Sequence, residues 1–526
     1  MLWNNKVKES MKDPHLKWLF AGLTAINLVP IVIVKYVPSV DLPNHVLAAV
    51  VALRDPQYYP QGPLAFKFVF SPYILFTLIM TFLIPLFGKI WATKIVLLAY
   101  ATGLPLSVLA YLRMFNRDSW PLAFLIFPFV YSYHFEFGLI QYCIGIPLVF
   151  WALAYSKRLF DREDSISTLF IISILAVAIY FSHWVDFLAF FVGFAAMYMA
   201  YIIHHKRNIE DRLSKGDRAL ILAKSVSIFI APMIFFGIYL SQIWNRSQMN
   251  HLTMANFQYK SILWQIIEPM RTLFSNSLLA LDIIQVFVLM ALICWAFLIR
   301  EKSRPAARGL LPFGVIMIFM AILIPGQAFL SSWSQNSRFI VFAFVPIMAC
   351  ITLPKKGWRT IGPFIMSMLI VVLTIFRVDY YRKTDHITEE YLEALQTTVG
   401  NGKNVYNFLA GVPNPRTGGL PVFMHAISYY HVDSGGYSPF LFDFQPHVSG
   451  LYAKIDLPKG PAYSGWEEVN PKSFYTILSH WDYLAVVHCG QPVPDYIKKL
   501  QPLIKYSGPD CTIYSTNGIT GLIPGN

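Results

Sequence analysis

Apolar runs close to the length of a membrane helix, repeated over the first two thirds of the chain, constrain this sequence more than any motif does. They fall near 17–37, 91–112, 119–135, 137–155, 167–184, 187–204, 219–243, 281–299, 310–326, 338–353 and 360–377. A bilayer core is crossed by about 20 such residues in a helix, so the pattern predicts an all-α polytopic membrane protein of about eleven spans. Composition agrees: 56% of residues are hydrophobic and 13% charged, with a mean hydropathy of +0.50. That balance excludes an ordinary soluble domain. The first run follows Lys6, Lys8, Lys12 and Lys17 and lacks a small-residue cleavage site, so it reads as an uncleaved signal anchor.

Orientation follows from the excess of Lys and Arg in inner loops. The run 71–87 is long enough to span, and placing it in the membrane would move every later loop to the other side. Left out of the membrane, it gives about 18 basic residues inside and about 7 outside between Gly88 and the tail; a spanning segment reverses those figures. It is therefore expected to lie in or dip into the outer interface, within one long outer loop at about 38–90. The N-terminus is then cytoplasmic and the C-terminus extracytoplasmic, as in a bacterial inner membrane.

Residues 1–378 carry 32 basic and 16 acidic side chains, concentrated in inner loops such as Lys206 to Lys224 and Arg300 to Arg308. This excess fits topology and contact with anionic lipid rather than nucleic acid. Residues 379–526 carry 10 basic and 13 acidic side chains, and the change of sign and hydropathy marks a boundary. The tail is long enough for its own core. Short β-prone runs (Val405–Phe408, Tyr483–Val487, Thr512–Tyr514) alternate with turn-rich segments such as Gly411–Pro415 and Ser434–Gly436. With helical patterns at 387–399 and 494–504 they predict a small α/β or α+β extracytoplasmic domain. Its cysteines, Cys489 and Cys511, could pair in an oxidising exterior or remain ordinary buried thiols.

With this topology, ionisable residues scattered in sequence converge on the outer side. Asp41 and His45 follow the first run in Val40-Asp41-Leu42-Pro43-Asn44-His45. His134 and Glu136 occupy the turn near 131–138, His183 and Asp186 the next outer turn, and Arg338 begins a later span. Charges at membrane depth are costly, which makes such residues candidates for a site. For Asp41 the alternative is a cap on the helix that follows the Asp-Leu-Pro turn. For His45 it is an ordinary interfacial histidine, and for Arg338 snorkelling to the headgroups.

The layout resembles the integral-membrane glycosyltransferases of the GT-C fold, which include protein O-mannosyltransferases, oligosaccharyltransferase catalytic subunits and the aminoarabinose transferase of lipid A. The resemblance covers roughly 17–378. It rests on an acidic residue soon after the first span (Asp41), a long first outer loop (His45 to Lys89), the run from Phe87-Gly88 to Tyr111-Leu112-Arg113, and the outer tail. It implies transfer of a sugar from a polyprenyl phosphate or pyrophosphate carrier to a protein, glycan or lipid acceptor at the outer face. Asp41 would then be the base that deprotonates an acceptor hydroxyl. His45 would orient it or bind acceptor, and Arg338 would grip the carrier phosphate through paired charge-assisted bonds. His134, Glu136, His183 and Asp186 would line a polar cavity or acceptor site, with a divalent ion as a lesser possibility, since none of their spacings matches a strong ligand motif. The histidines and tyrosines of the tail, among them His425, His431, His447, His480 and His488, could stack on sugars but equally suit half-buried strands. A transporter is disfavoured by the lack of repeated halves. A catalytically silent subunit working with membrane-protein partners stays open, because Asp41 stands alone beside Leu42 and Pro43 with Asp55 farther along.

Overall fold

The computed structural model describes residues 14–53, 59, 62–161, 166–207, 214–244, 279–298, 310–324, 335–353, 358–410, 422–439, 441, 449–454 and 471–519. Asp55, His447, the segment Gly411–Pro415, the segment Arg300–Arg308 and part of the segment after Arg207 lie outside the described residues.

The chain opens with α1 (Pro14–Ile33), α2 (Leu42–Leu53) and the short strand β1 (Leu64–Phe66). Then come α3 (Leu75–Phe115), a 3-10 segment (Arg117–Tyr131), α4 (Tyr133–Phe137), α5 (Ile140–Phe160), α6 (Ile166–Ser182), α7 (Trp184–Arg207) and α8 (Lys215–Trp244). After α9 (Leu279–Leu298) and α10 (Leu310–Leu323), a 3-10 turn (Asn336–Phe339) leads into α11 (Ile340–Ala349) and α12 (Trp358–Thr398). Among the described residues, six helices are long and apolar enough to cross a membrane. The expected runs at 167–184, 310–326 and 338–353 form helices of 17, 14 and 10 residues.

One element departs from the expected helices, and another is broken between two expected segments, for local reasons. The run expected near 119–135 is a 15-residue 3-10 segment carrying Pro121 and Pro128, each of which removes an N–H donor. At about 2.0 Å per residue it still reaches about 30 Å, the thickness of a bilayer core. In α3, Gly88 takes φ 71° and ψ 162°, a conformation that breaks the helix and suits a residue without Cβ. The leg before it, Leu75–Phe87, spans about 20 Å, short of the roughly 30 Å core.

α12 is 41 residues long, about 60 Å and twice the bilayer core. It runs through position 378 without a break, so the change in polarity there is not a change in secondary structure. Beyond the apolar part, Asp385 accepts hydrogen bonds from the backbone N–H groups of Lys35 (2.8 Å) and Tyr36 (2.7 Å), just after α1. Lys94 of α3 donates to the Val32 carbonyl at 3.0 Å, satisfying one of the acceptors left free at the end of α1.

After α12 the chain forms β2 (Val405–Leu409), α13 (Ile427–Ser434), β3 (Leu451–Ala453), α14 (Pro471–Leu478), β4 (Tyr483–Val487), α15 (Asp495–Lys498), β5 (Ile504–Ser507) and β6 (Cys511–Ser515). A four-stranded sheet has the order β2-β4-β6-β5, with β2 and β4 parallel and the other pairs antiparallel. β2, β4 and β6 are almost wholly buried, which explains their near-continuous apolar character. The pattern near 494–504 yields only the four-residue α15 and a 3-10 turn before β5. β1 of the loop before α3 pairs antiparallel with β3, Leu64 opposite Ala453, so loop and tail share a small sheet. Cys489 and Cys511 are free thiols, both pushed up to about 12 chiefly by burial.

Candidate functional site

The five-residue helix α4 and Gly138 form the hub on which these turns meet. Gly138 has φ 93°, and a Cβ there would lie 2.4 Å from the Asp41 backbone nitrogen. Its absence lets segment 39–41 lie flat on the turn: Val40 N–H donates to Glu136 O (3.0 Å) and Asp41 N–H to Phe137 O (3.0 Å). Ser39 Oγ adds a bond to Phe135 O at 3.2 Å. The position of Asp41 is thus set by backbone bonds to another loop.

The Asp41 carboxylate is 14% exposed and faces His425 Nε2 of the tail at 3.2 Å. Among the described residues it makes no side-chain bond to the first N–H groups of α2, so the capping alternative is not what holds it. Asn44 Nδ2 lies 2.9 Å from His425 Nδ1, and Ser428 Oγ donates to Asn44 Oδ1 at 2.5 Å. His45 packs edge-on against Phe76 and bonds to the Gly138 backbone. Burial pushes its imidazole down to about 4, against the upward pull of Asp41. It is therefore a neutral ring near pH 7.

Glu136 points elsewhere. Its carboxylate pairs with Arg377 Nε of α12 at 3.4 Å, and both side chains are buried. The Arg377 guanidinium also lies 4.4 Å from the Tyr131 ring centroid. Arg377 was missing from the sequence-based site; its only signal was a cation at the end of the last apolar run.

Arg338 belongs to a buried polar cluster and is 1% exposed, which rules out snorkelling to headgroups. Tyr142 Oη donates to its carbonyl at 2.8 Å. Its Nη1 is in hydrogen-bond contact with His183 Nε2, while His183 Nδ1 accepts from Val185 N–H at 3.0 Å. Next to it, His134 Nε2 meets Ser337 Oγ at 2.8 Å. Asp186 is wholly buried: Oδ2 accepts from Ser182 Oγ at 3.2 Å, and Oδ1 has no hydrogen-bond partner among the described residues. A Cβ on Gly145 would come 1.9 Å from Asp186 Oδ2, so that glycine makes room for the carboxylate.

The sequence-predicted residues therefore form three groups around one turn. Asp41 and His45 lie on one side, Glu136 with Arg377 on another, and His134, His183, Asp186 and Arg338 on a third. Among the described residues no three His, Cys, Asp or Glu side chains come together in a set that could hold a metal ion. Glu136 pairs with Arg377, which supplies the counter-charge that a buried carboxylate needs.

The helical membrane body, the long first loop and the mixed-sheet tail have a GT-C-like fold. Crystal structures of ArnT from Cupriavidus metallidurans share it. The apo state matches at TM-score 0.55 and 11% identity, and the form bound to undecaprenyl phosphate at TM-score 0.54 and 12% identity. Each match covers 95% of this chain and 97% of that one. No protein-family model matches the chain, and no curated protein matches it.

Proposed function

We propose that this protein is a glycosyltransferase that moves a sugar from a polyprenyl-phosphate carrier to an acceptor hydroxyl at the outer face of a bacterial inner membrane. The observation that carries the reading is the contact between Arg338 and His183. With Val185 N–H donating to His183 Nδ1, a neutral ring carries its proton on Nε2 and sets donor against the Arg338 donor. The other tautomer moves the conflict to Val185. An anionic oxygen placed between the two groups relieves it by accepting from both, and a phosphate monoanion or dianion has the oxygens to do so. The ArnT fold neighbour bound to undecaprenyl phosphate supports that choice of anion.

In this reading the Asp41 carboxylate takes the proton of the acceptor hydroxyl as its oxygen attacks the anomeric carbon. The bond from that carbon to the phosphate oxygen breaks, and its electron pair leaves with the polyprenyl phosphate. Arg338 and His183 stabilise that leaving charge in a water-poor site, where fixed donors act most strongly. Asp186, with one buried oxygen unengaged, and His134 would bind hydroxyls of the sugar or acceptor. Residues 379–526, as an extracytoplasmic domain on a membrane domain of residues 1–378, would cover the site and help select the acceptor.

The test is purification of wild type and Arg338→Ala with their native lipids, followed by mass spectrometry. A glycosylated polyprenyl phosphate retained by wild type and absent from the variant is the expected result. Retention of bulk phospholipid alone by both would sink the transferase reading.

A further inference from the structure

His425 lies in the tail, 381 residues from Asn44, yet it ends on the carboxylate proposed to be the base. The chemistry of its contacts can be worked out from Asp41 outward. A carboxylate accepts and does not donate, so the ring nitrogen facing it, Nε2, carries a proton. In a neutral ring Nδ1 is then an acceptor, matched by the amide N–H of Asn44 at 2.9 Å. That turns Asn44 Oδ1 toward Ser428, whose hydroxyl donates to it. Every group in the line Ser428, Asn44, His425, Asp41 therefore has one consistent role, and Asn44 selects the His425 tautomer that can donate.

The line is mounted on rigid elements. Asn407 of β2 donates from Nδ2 to the carbonyls of Phe423 (3.3 Å) and Met424 (3.0 Å), immediately before His425. Asn407 Oδ1 accepts from Tyr391 Oη of α12 at 2.8 Å. On the other side, the Tyr429 ring packs on Tyr36 with centroids 4.7 Å apart, and Lys89 pairs with Asp433. The His425 and Asp41 side chains are only 8% and 14% exposed, so water competes little for their bond.

We propose that His425 is a positioning residue for Asp41, contributed by the tail and held in its donating tautomer by Asn44. The inference rests on the assignment of Asp41 as the base. One Asp41 oxygen is fixed by the Nε2–H of His425, which leaves the other to take the acceptor proton. No proton passes to the imidazole, and the ring keeps its hydrogen throughout the transfer. The tail then completes the site rather than merely covering it.

The experiment uses the full-length protein in lipid nanodiscs with two probes: undecaprenyl phosphate carrying a neutral [14C]hexose, and undecaprenyl phosphate carrying an aminopentose. With total membrane lipid in the nanodisc as the source of the acceptor hydroxyl, release of undecaprenyl phosphate and the Tm are measured for wild type, Asp41→Asn, His425→Phe, His425→Gln and the Asp41→Asn/His425→Phe double variant. Misplacement of a reacting group is expected to lower kcat on the order of 10- to 100-fold in His425→Phe, with KM unchanged. His425→Gln, whose amide can donate to Asp41 and accept from Asn44, should restore most of it. The double variant should lose less Tm than the sum of the singles. If Asp41→Asn abolishes turnover while His425→Phe keeps wild-type kcat, this inference is wrong and the transferase reading stands. If Asp41→Asn keeps full turnover, the assignment of Asp41 fails and takes the positioning role with it; if wild type turns over neither probe, the Tm cycle alone decides the contact. Additive Tm losses overturn the contact itself, whatever the turnover.

Discussion

Glu136 and Arg377 illustrate how a charged residue beside a membrane span can serve structure rather than chemistry. Both are buried, and each is the counter-charge of the other. Glu136→Ala leaves a guanidinium in a low-dielectric site, and a loss of about 3 kcal/mol is expected. Replacing both, as in Glu136→Gln with Arg377→Met, should recover much of that loss, because it removes the isolated charge. Thermal unfolding of the two variants in one detergent checks both statements, and equal losses would refute them. His45 gives a pH dependence whose sign follows from its burial. Its folded imidazole titrates near 4, below the ordinary value of 6.5, so folding binds fewer protons there. Its contribution is complete above pH 6.5 and is lost as pH falls toward 4, on the order of 3 kcal/mol in all. Tm measured from pH 7 to 4 should fall less steeply in His45→Gln than in wild type. Asp41, His45 and Arg338 were legible in the sequence because an ionisable side chain next to an apolar run is expensive. His425 was not legible as the partner of Asp41, nor Arg377 as that of Glu136, because nothing local distinguishes one tail histidine from five others or a helix-end arginine from a topological one.

At the scale of elements, hydropathy found where apolar segments lie but not their backbone geometry. The segment Arg117–Tyr131 is as apolar as a helix, and Pro121 and Pro128 were the signals that it would wind differently. α12 shows the converse: its polarity changes near 378 while its hydrogen bonding continues to Thr398, because Arg382, Lys383, Glu389, Glu390 and Glu393 are good helix formers. That continuity has a use, since it carries Asp385 to the chain that leaves α1. Asp385→Ala removes an acceptor from two backbone N–H groups at once. A loss of about 2 kcal/mol is expected from two such charge-assisted bonds, lessened by partial exposure. Hydrogen exchange should report it locally, with faster exchange at Lys35 and Tyr36 and little change in the sheet. Unchanged exchange at both amides would mean that Asp385 holds nothing.

At the scale of the whole molecule, the first long loop and the tail are joined by backbone pairing as well as by the His425 contact. β1 pairs with β3, and the seam is extended by Lys67 N–H to Gly450 O (2.8 Å) and Lys454 N–H to Pro63 O (2.7 Å). Sequence alone could not place this seam, because two three-residue strands nearly four hundred residues apart carry no pattern of their own. Gly450 is its tightest point. It has φ 76°, and a Cβ there would sit 2.7 Å from the Phe66 ring and 2.8 Å from the Lys67 carbonyl oxygen. Gly450→Val therefore combines an unfavourable backbone conformation with two clashes, and both act on the seam rather than on the sheet β2-β4-β6-β5. Amide exchange is expected to rise at 63–67 and 450–454 while β2, β4 and β6 keep their protection. Because His425 is mounted separately, on Asn407 and Tyr391, the variant should retain more turnover than His425→Phe. If exchange instead rises across β2, β4 and β6 together with the seam, the tail and the first loop unfold as one unit, and the independence of the two attachments is lost.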